Sequence, residues 1–525
     1  MTGAGLLLRF LLRRERYRLP WWLLGATLLV LIQSVQSQNL YDTPEDLQRL
    51  RATIGGNAAV LAMSGPRELL TSIGGEIVFE IFGFAAIVVA LMNMFLIGRH
   101  SRADEESGRA ELIRSGCTGR HAPLAAALAL AVLADITVGV LVFAVAAGTG
   151  LPAGGSVLFG AALAGVGLTF AALTAAFAQV FENTRTVYGT TAALLGAAFM
   201  LRAAGDVGAG TLSWASSIGW GQRTFPYAAD RWWPLLLPLA ASGMLGGLAV
   251  LVANRRDFGA GLIRARLGRA DGSRAFRNAY ALAWRLQRGT LIGWAGGLFL
   301  LGVAYGSIGD TMEQYVRDNP EIARLLPGGG TAIVDSYLAL TTGFSVLLGA
   351  AYGVVVVLRA RAEETEGRAE PVLATATSRA TWLGGHLSVA AAGTALVLLA
   401  YGVGAGVSYA LTVGDAGQVP RLIGIAVAYL PAVWAIVAAT TLLAGWAPRY
   451  AGALMWTVVG YCVVITLFAD SFDLPGWTRT LSPFAHTPKV PLDDLTPTPL
   501  LVTTVFAAAV TAVGLSGIRR RDIGY

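Results

Sequence analysis

The sequence predicts an all-α polytopic membrane protein of about twelve transmembrane helices, built as two parallel six-helix repeats with both termini in the cytoplasm. Three observations carry that expectation. Of 525 residues, 55% are hydrophobic and 14% charged, with a mean hydropathy of +0.60; a soluble chain of this length needs far more surface charge. Twelve apolar stretches are long enough to cross a ~30 Å hydrocarbon core. One charged sequence occurs twice, once in each half.

Each element follows in chain order. Arg9, Arg13 and Arg16 fall on one helical face and Leu7, Phe10 and Leu11 on another, the pattern of a helix lying in the membrane interface. A first span near 19–36 follows; from Trp21 it continues without a small-residue cleavage site, so it is not a cleaved signal. A long connection, 37–75, carries the helix-like patch Asp46-Leu-Gln-Arg-Leu-Arg51. Span two, 76–97, opens on Glu76, with Glu80 one turn further along the same face. The charged loop 99–120 leads to span three, 121–148, where Asp135 is the one carboxylate read as well inside a span. Spans four to six lie near 155–180, 187–204 (ending at Arg202, read as snorkelling to the interface) and 232–253.

A basic connection introduces the second half, where Arg277, Arg285 and Arg288 surround Phe276, Tyr280 and Trp284 and predict a second interfacial helix over 275–290. Spans near 286–308, 334–358, 383–411, 421–446, 452–469 and 498–517 complete the set. The division falls at 1–272 and 273–525. Arginine placement fixes the expected orientation: with the N-terminus inside, cytoplasmic segments hold 28 of the 39 basic residues. The protein is therefore expected in the plasma (inner) membrane.

The duplication is direct. Arg102-Ala-Asp-Glu-Glu-Ser-Gly-Arg-Ala-Glu111 returns 259 positions later as Arg361-Ala-Glu-Glu-Thr-Glu-Gly-Arg-Ala-Glu370, and nine of nineteen positions match as far as Arg120 and Arg379. Arg255-Arg-Asp-Phe-Gly259 returns 265 positions later as Arg520-Arg-Asp-Ile-Gly524. Six spans per half is an even number, so the repeats are parallel.

Several function classes drop out. Of the 39 basic residues, 38 are arginine and the only lysine is Lys489, in a context that cannot form the Gly-Lys-Ser/Thr of a phosphate-binding loop. If ATP drives this protein, another chain binds it. Cys117 and Cys462 form no framework, and His100, His121, His386 and His486 show no ligand spacing. No catalytic constellation, metal site or cofactor is expected in this chain, so it is not expected to be an enzyme by itself. Its net charge of +7 follows membrane topology and does not signal nucleic acid.

Two exporter families invite comparison. Asp104-Glu-Glu-Ser-Gly-Arg109 faintly resembles the loop of major facilitators, which would make the chain a proton-driven drug exporter; an acid, however, stands where that motif needs a base. The chain more closely resembles the permease subunits of type-2 ABC exporters, in particular the fused actinobacterial permeases of the tetronasin-resistance type. The residues that carry this are Glu363-Glu364-x-Glu366-Gly-Arg368-Ala-Glu370, Ala374-Thr-Ala-Thr-Ser378-Arg with Trp382, Ser213-Trp-Ala-Ser-Ser-Ile-Gly-Trp220-Gly-Gln, and the repeated Arg-Arg-Asp-Phe/Ile-Gly.

The resemblance implies a complete membrane domain working with two copies of a separate ABC ATPase, which binds the ATP and Mg. Its cargo would be lipophilic small molecules, hydrophobic antibiotics and other drugs, or lipids, moved through a bilayer. Loops 99–120 and 359–382 are then the expected ATPase-coupling segments, through Glu105, Glu106, Arg109 and Glu111 in the first and Glu363, Glu364, Arg368 and Glu370 in the second. The opposing reading is a solvated loop of surface ion pairs. On the outer side, the 259-residue shift sets Glu76 against Asp335; with Glu80 these acids either converge on the exit of the path or mark the headgroup level. Asp135 either lines the path or ties neighbouring helices together.

Overall fold

The computed structural model describes residues 2–41, 43–55, 58–116, 118–257, 259–263, 278–318, 329–468, 475–488, 490–492 and 495–522. The chain divides into two compact units, Met1–Gly268 and Arg269–Tyr525. Cys117, Lys489 and residues 275–277 lie outside the described residues.

The first unit begins with α1 (Ala4–Glu15) and the span α2 (Leu19–Leu40), which Pro20 starts at its first turn, where no backbone donor is needed. The connection holds α3 (Pro44–Ile54) and α4 (Ala58–Met63). A capping box starts α3: Thr43 Oγ1 accepts from the Asp46 amide at 3.3 Å while the Asp46 carboxylate accepts from the Thr43 amide. Next come α5 (Ile73–His100), the short α6 (Arg102–Glu106) and α7 (Arg109–Arg114), and the spans α8 (Ala122–Gly148), α9 (Ala153–Val180) and α10 (Thr184–Val207). The unit closes with α11 (Ser217–Gln222) and the span α12 (Leu236–Arg255). α5 and α9 form its buried centre, with α2, α8, α10 and α12 packed around them. Small residues allow this closeness: a Cβ at Gly160 would stand 2.3 Å from the carbonyl oxygen of Gly139 across the α8–α9 contact.

The second unit contains α13 (Ala279–Asp318), α14 (Gly329–Thr365), the short α15 (Glu370–Leu373), α16 (Arg379–Val413), α17 (Gln418–Ala428), α18 (Leu430–Trp446), α19 (Ala451–Phe468), α20 (Gly476–Thr480) and α21 (Pro497–Arg520). Gly302 and Gly306 of α13 and Gly404 of α16 seat those two helices backbone to backbone. Among the described residues, eleven helical stretches are long and apolar enough to cross a membrane.

The stretch at 452–469 forms the apolar helix α19, and the run expected at 421–446 is one apolar span, Gln418–Trp446, interrupted for a single residue at Tyr429, where Pro431 removes a donor from the first turn of α18. Two expectations are adjusted. The stretch at 275–290 does not form a separate interfacial helix over its described part: from Ala279 it is the opening of the continuous 40-residue α13. Its apolar residues lead straight into the span without a cap or breaker. Arg202 does not snorkel: its side chain is fully buried, 3.6 Å from Asp206 one turn on, and it donates to the Met63 carbonyl at 3.1 Å.

Candidate functional site

The charged loops fold into bonded constellations. In the first unit, α5 ends at His100 and the chain doubles into α6 and α7. The turn between these passes through Gly108 at φ 72°, a left-handed conformation that L side chains rarely adopt. The matched turn of the second unit passes through Gly367 at φ 70°. Both loops thus make the same reversal before Arg109 and Arg368.

Glu105 is held by two arginines. Its Oε2 accepts from Arg102 Nη1 at 2.7 Å, and both its oxygens accept from Arg256, at 2.5 and 2.9 Å. Arg102 is buried and also donates to the carbonyls of Glu182 and Gly259, each at 2.6 Å. Arg256 Nε donates to Gln179 Oε1 at 2.8 Å. Glu106 receives the Thr184 amide and hydroxyl at 2.6 and 2.7 Å, satisfying donors at the start of α10. Asp104 accepts both terminal nitrogens of Arg14, at 2.6 and 3.0 Å, with Arg109 3.8 Å away.

α1 is fastened to the same end of the unit. Glu15 is buried against Arg99, at 2.5 and 2.7 Å, and against His100 Nε2 at 2.8 Å. Burial alone would raise its pKa, but the hydrogen bonds from His100 and Arg99 outweigh it and hold the carboxyl at about 2. Leu11 is buried while Leu6 and Phe10 stay exposed. Between α1, the loop and the first residues after α12 lies a cavity of about 240 Å³, bordered by Leu7, Leu11, His100, Glu105, His121 and Arg256.

The second unit repeats the pattern with fewer partners. Glu364 accepts from Arg361 at 2.9 Å and from Arg521 at 2.6 Å. Glu363 lies between Arg359 and Arg368, both at 2.9 Å. Donating to the Glu363 carboxylate raises the pKa of Arg368, which also pairs with Glu366. The eight predicted loop residues therefore divide. Glu105, Glu106, Glu363 and Glu364 hold the loops to their own units, whereas Glu111 and Glu370 are exposed without a hydrogen bond or ion pair from their side chains among the described residues. Arg109 is exposed near Leu112, which is 77% exposed, in the first unit, and Arg368 is exposed in the second. Glu363 and Glu364 are buried, Glu105 is half-buried and Glu106 is exposed, but all four are bonded rather than merely solvated.

The other candidates sit deeper. Asp135 is fully buried, and its Oδ1 accepts from Asn93 Nδ2 on α5 at 2.7 Å. The hydroxyl of nearby Thr137 takes no part, bonding the Leu133 carbonyl on its own helix. Gly167 on α9 makes room for the pair: a Cβ there would lie 2.1 Å from Asp135 Oδ1. Glu76 and Glu80 are at the opposite end of α5 from the loop. Glu76 is fully buried and so does not mark a solvated boundary; Glu80 accepts from Gln33 of α2 at 2.5 Å. In the second unit, Asp335 pairs with Arg421 at 2.6 Å, partly exposed.

Sequence reasoning missed Asn93, Arg14, Arg99, Arg256 and Arg521 as partners. The last two stood inside the repeated Arg-Arg-Asp motif, so repetition itself was the signal for them.

Two comparisons with known proteins bear on these constellations. The family model described as "Multidrug efflux system permease Rv1217c, C-terminal domain" matches residues 276–519. The whole chain is similar to the multidrug efflux system permease protein Rv1217c of Mycobacterium tuberculosis (strain ATCC 25618 / H37Rv), 39% identical over 526 residues, covering 99% of this chain and 95% of that one. With the apolar helices described above, this near end-to-end match means that the chain is a multi-pass membrane protein and belongs to the family of Rv1217c-type multidrug efflux permeases.

Proposed function

We propose that this chain is the membrane domain of an ATP-driven drug exporter, energised by two copies of a separate ABC ATPase that dock on the loops at 99–120 and 359–382. The observation that carries this reading is the matched pair of loops. Each unit makes the same glycine reversal, anchors its acids by the same arginines, and leaves an exposed charged edge at Arg109 and Glu111 or at Arg368 and Glu370. Two like edges on one chain suit two copies of one partner, recognised through complementary charge. The excess of arginine at this end supports a cytoplasmic position for it and for both termini.

The cargo class follows from the relative, whose printed name is a multidrug efflux permease, and from the glycine- and alanine-rich spans. Glu76 and Asp335, at the far ends of matched helices, are proposed for the exit of the path.

The test uses vesicles carrying the chain with and without its ATPase. Alone, it is expected neither to bind nor to hydrolyse ATP. With the ATPase present, export of a lipophilic dye is expected to require ATP and to survive a protonophore. Export by the lone chain that collapses with a protonophore would overturn the proposal in favour of a proton-driven carrier.

A further inference from the structure

We infer that Arg256 and Arg521 are positioning residues for transport, each tying the charged loop of its half to the end of that half's last span so that loop and span move together. This rests on the proposed ATP-driven reading and names the route by which a partner's movement reaches the membrane.

The two sequence anchors of the duplication stand about 150 residues apart in each half, yet in each unit they are bonded to one another. Glu105 and Glu364 correspond at the 259-residue shift, Arg256 and Arg521 at the 265-residue shift, and both pairs close, at 2.5 and 2.6 Å. Three further contacts repeat. Arg102 and Arg361 brace the same carboxylates from one turn earlier. Arg109 and Arg368 approach Asp104 and Glu363. Arg120 and Arg379, where the repeated segment ends, donate to the backbone carbonyls of Arg256 and Arg521. Each latching arginine is thus held twice, through its side chain by the start of the loop and through its carbonyl by the loop's end.

The geometry suits transmission. Arg256 and Arg521 are the residues immediately after the α12 and α21 helices, so each clasp acts directly on a helix end. The Arg256 pair is two parallel N–H···O bonds, which fix direction as well as distance. In the first unit the chain after α12 continues against α9: the amides of Leu262 and Ile263 donate to the carbonyls of Gln179 and Val180. A push on the loop there reaches α12 and α9 together.

The contrast within the sequence agrees. The paired spans have diverged, while the residues that form these contacts stayed charged and of the same sign in both halves. Apolar residues facing lipid exchange freely for one another; a carboxylate clasped by two arginines does not.

A reversible cross-link tests the assignment. In a Cys117→Ser background, Glu364→Cys and Arg521→Cys are joined by a cleavable bifunctional thiol reagent, and the chain is assembled with its ATPase in vesicles. ATP hydrolysis and dye export are measured on the same sample before and after reduction. The reduced form is expected to hydrolyse ATP while exporting less dye per ATP, by roughly 5- to 150-fold, the span of ordinary coupling energies. Cross-linking is expected to restore the ratio. The milder Arg256→Lys, which keeps the charge and loses the paired geometry, is expected to show the same split in the first unit without loss of expression. Unchanged export per ATP in the reduced form and in Arg256→Lys would overturn the inference while leaving ATP-driven export standing. So would a cross-link that blocks export, because that means the latch must open. ATP-independent export by the wild-type chain would instead remove the reading on which the inference rests, and the inference with it.

Discussion

Substituting Gly306 by alanine tests whether α13 and α16 hold together by backbone contact. A Cβ at Gly306 would stand 2.3 Å from the Ala405 carbonyl oxygen and 3.0 Å from its carbon, against an ordinary contact of 3.4 Å or more. The obstacle is backbone, so the helices must part by about 1 Å, and overpacking of this kind costs about 1–3 kcal/mol. Alanine also favours the helix over glycine by up to about 1 kcal/mol, which would mask part of the loss. Gly297 supplies the control: it lies on the same helix with nothing within 4 Å of its would-be Cβ. Comparing Gly306→Ala with Gly297→Ala cancels the propensity gain and isolates the clash. At roughly 2–4 °C per kcal/mol for a unit of this size, Gly306→Ala should melt about 2–12 °C below Gly297→Ala in detergent. Gly302→Ala, 2.4 Å from the Tyr401 carbonyl, should behave like Gly306→Ala. Equal melting of the Gly306 and Gly297 variants would refute the contact.

Two further outcomes are expected. Asp135→Asn keeps an acceptor for Asn93 and should retain stability and export, whereas Asp135→Ala leaves Asn93 Nδ2 only its bond to the Val89 carbonyl, stranding one buried N–H, and should cost about 1–3 kcal/mol in thermal unfolding; lost export in Asp135→Asn at wild-type stability would place Asp135 on the path. Glu15 is held below its ordinary value, at about 2, so its contribution to fastening α1 is fully present above about pH 4.5 and is lost as the pH falls towards 2. A spin label at Arg9→Cys in a Cys117→Ser background should gain mobility through that window, and Glu15→Gln should flatten the response; a wild-type label insensitive to pH would remove Glu15 from the fastening.

The spans were legible because lipid demands long apolar helices whatever their partners, and the helix ends often followed local signals such as Pro20 or the Thr43 capping box. What stayed hidden depended on pairs. Arg202 reads alone as a charge near a span end, yet Asp206 four positions on shares its face and is its partner. Asp135 and Asn93 belong to different helices, and nothing in either local sequence announces the other. Tyr429 marks a single-residue interruption that Pro431 signalled, within an apolar run that is one span.

The charged loops illustrate the same limit from the other side. Repetition identified Glu105 and Glu364 as residues under constraint, and the inference drawn was contact with a partner. The structure supplies a constraint nearer at hand, since each acid closes on an arginine from the second repeated motif. An acid held in such a clasp cannot offer its charge to another chain without first leaving the arginines, and for the buried Glu364 removing one member of the pair costs about 3–5 kcal/mol. On the proposed ATP-driven reading, the surface offered to a partner is therefore the exposed edge at Arg109, Glu111, Leu112, Arg368 and Glu370, beside the clasped acids. On that division, losing Glu111 or Glu370 weakens recognition with the fold intact, while losing Glu105 or Glu364 loosens the frame that presents them.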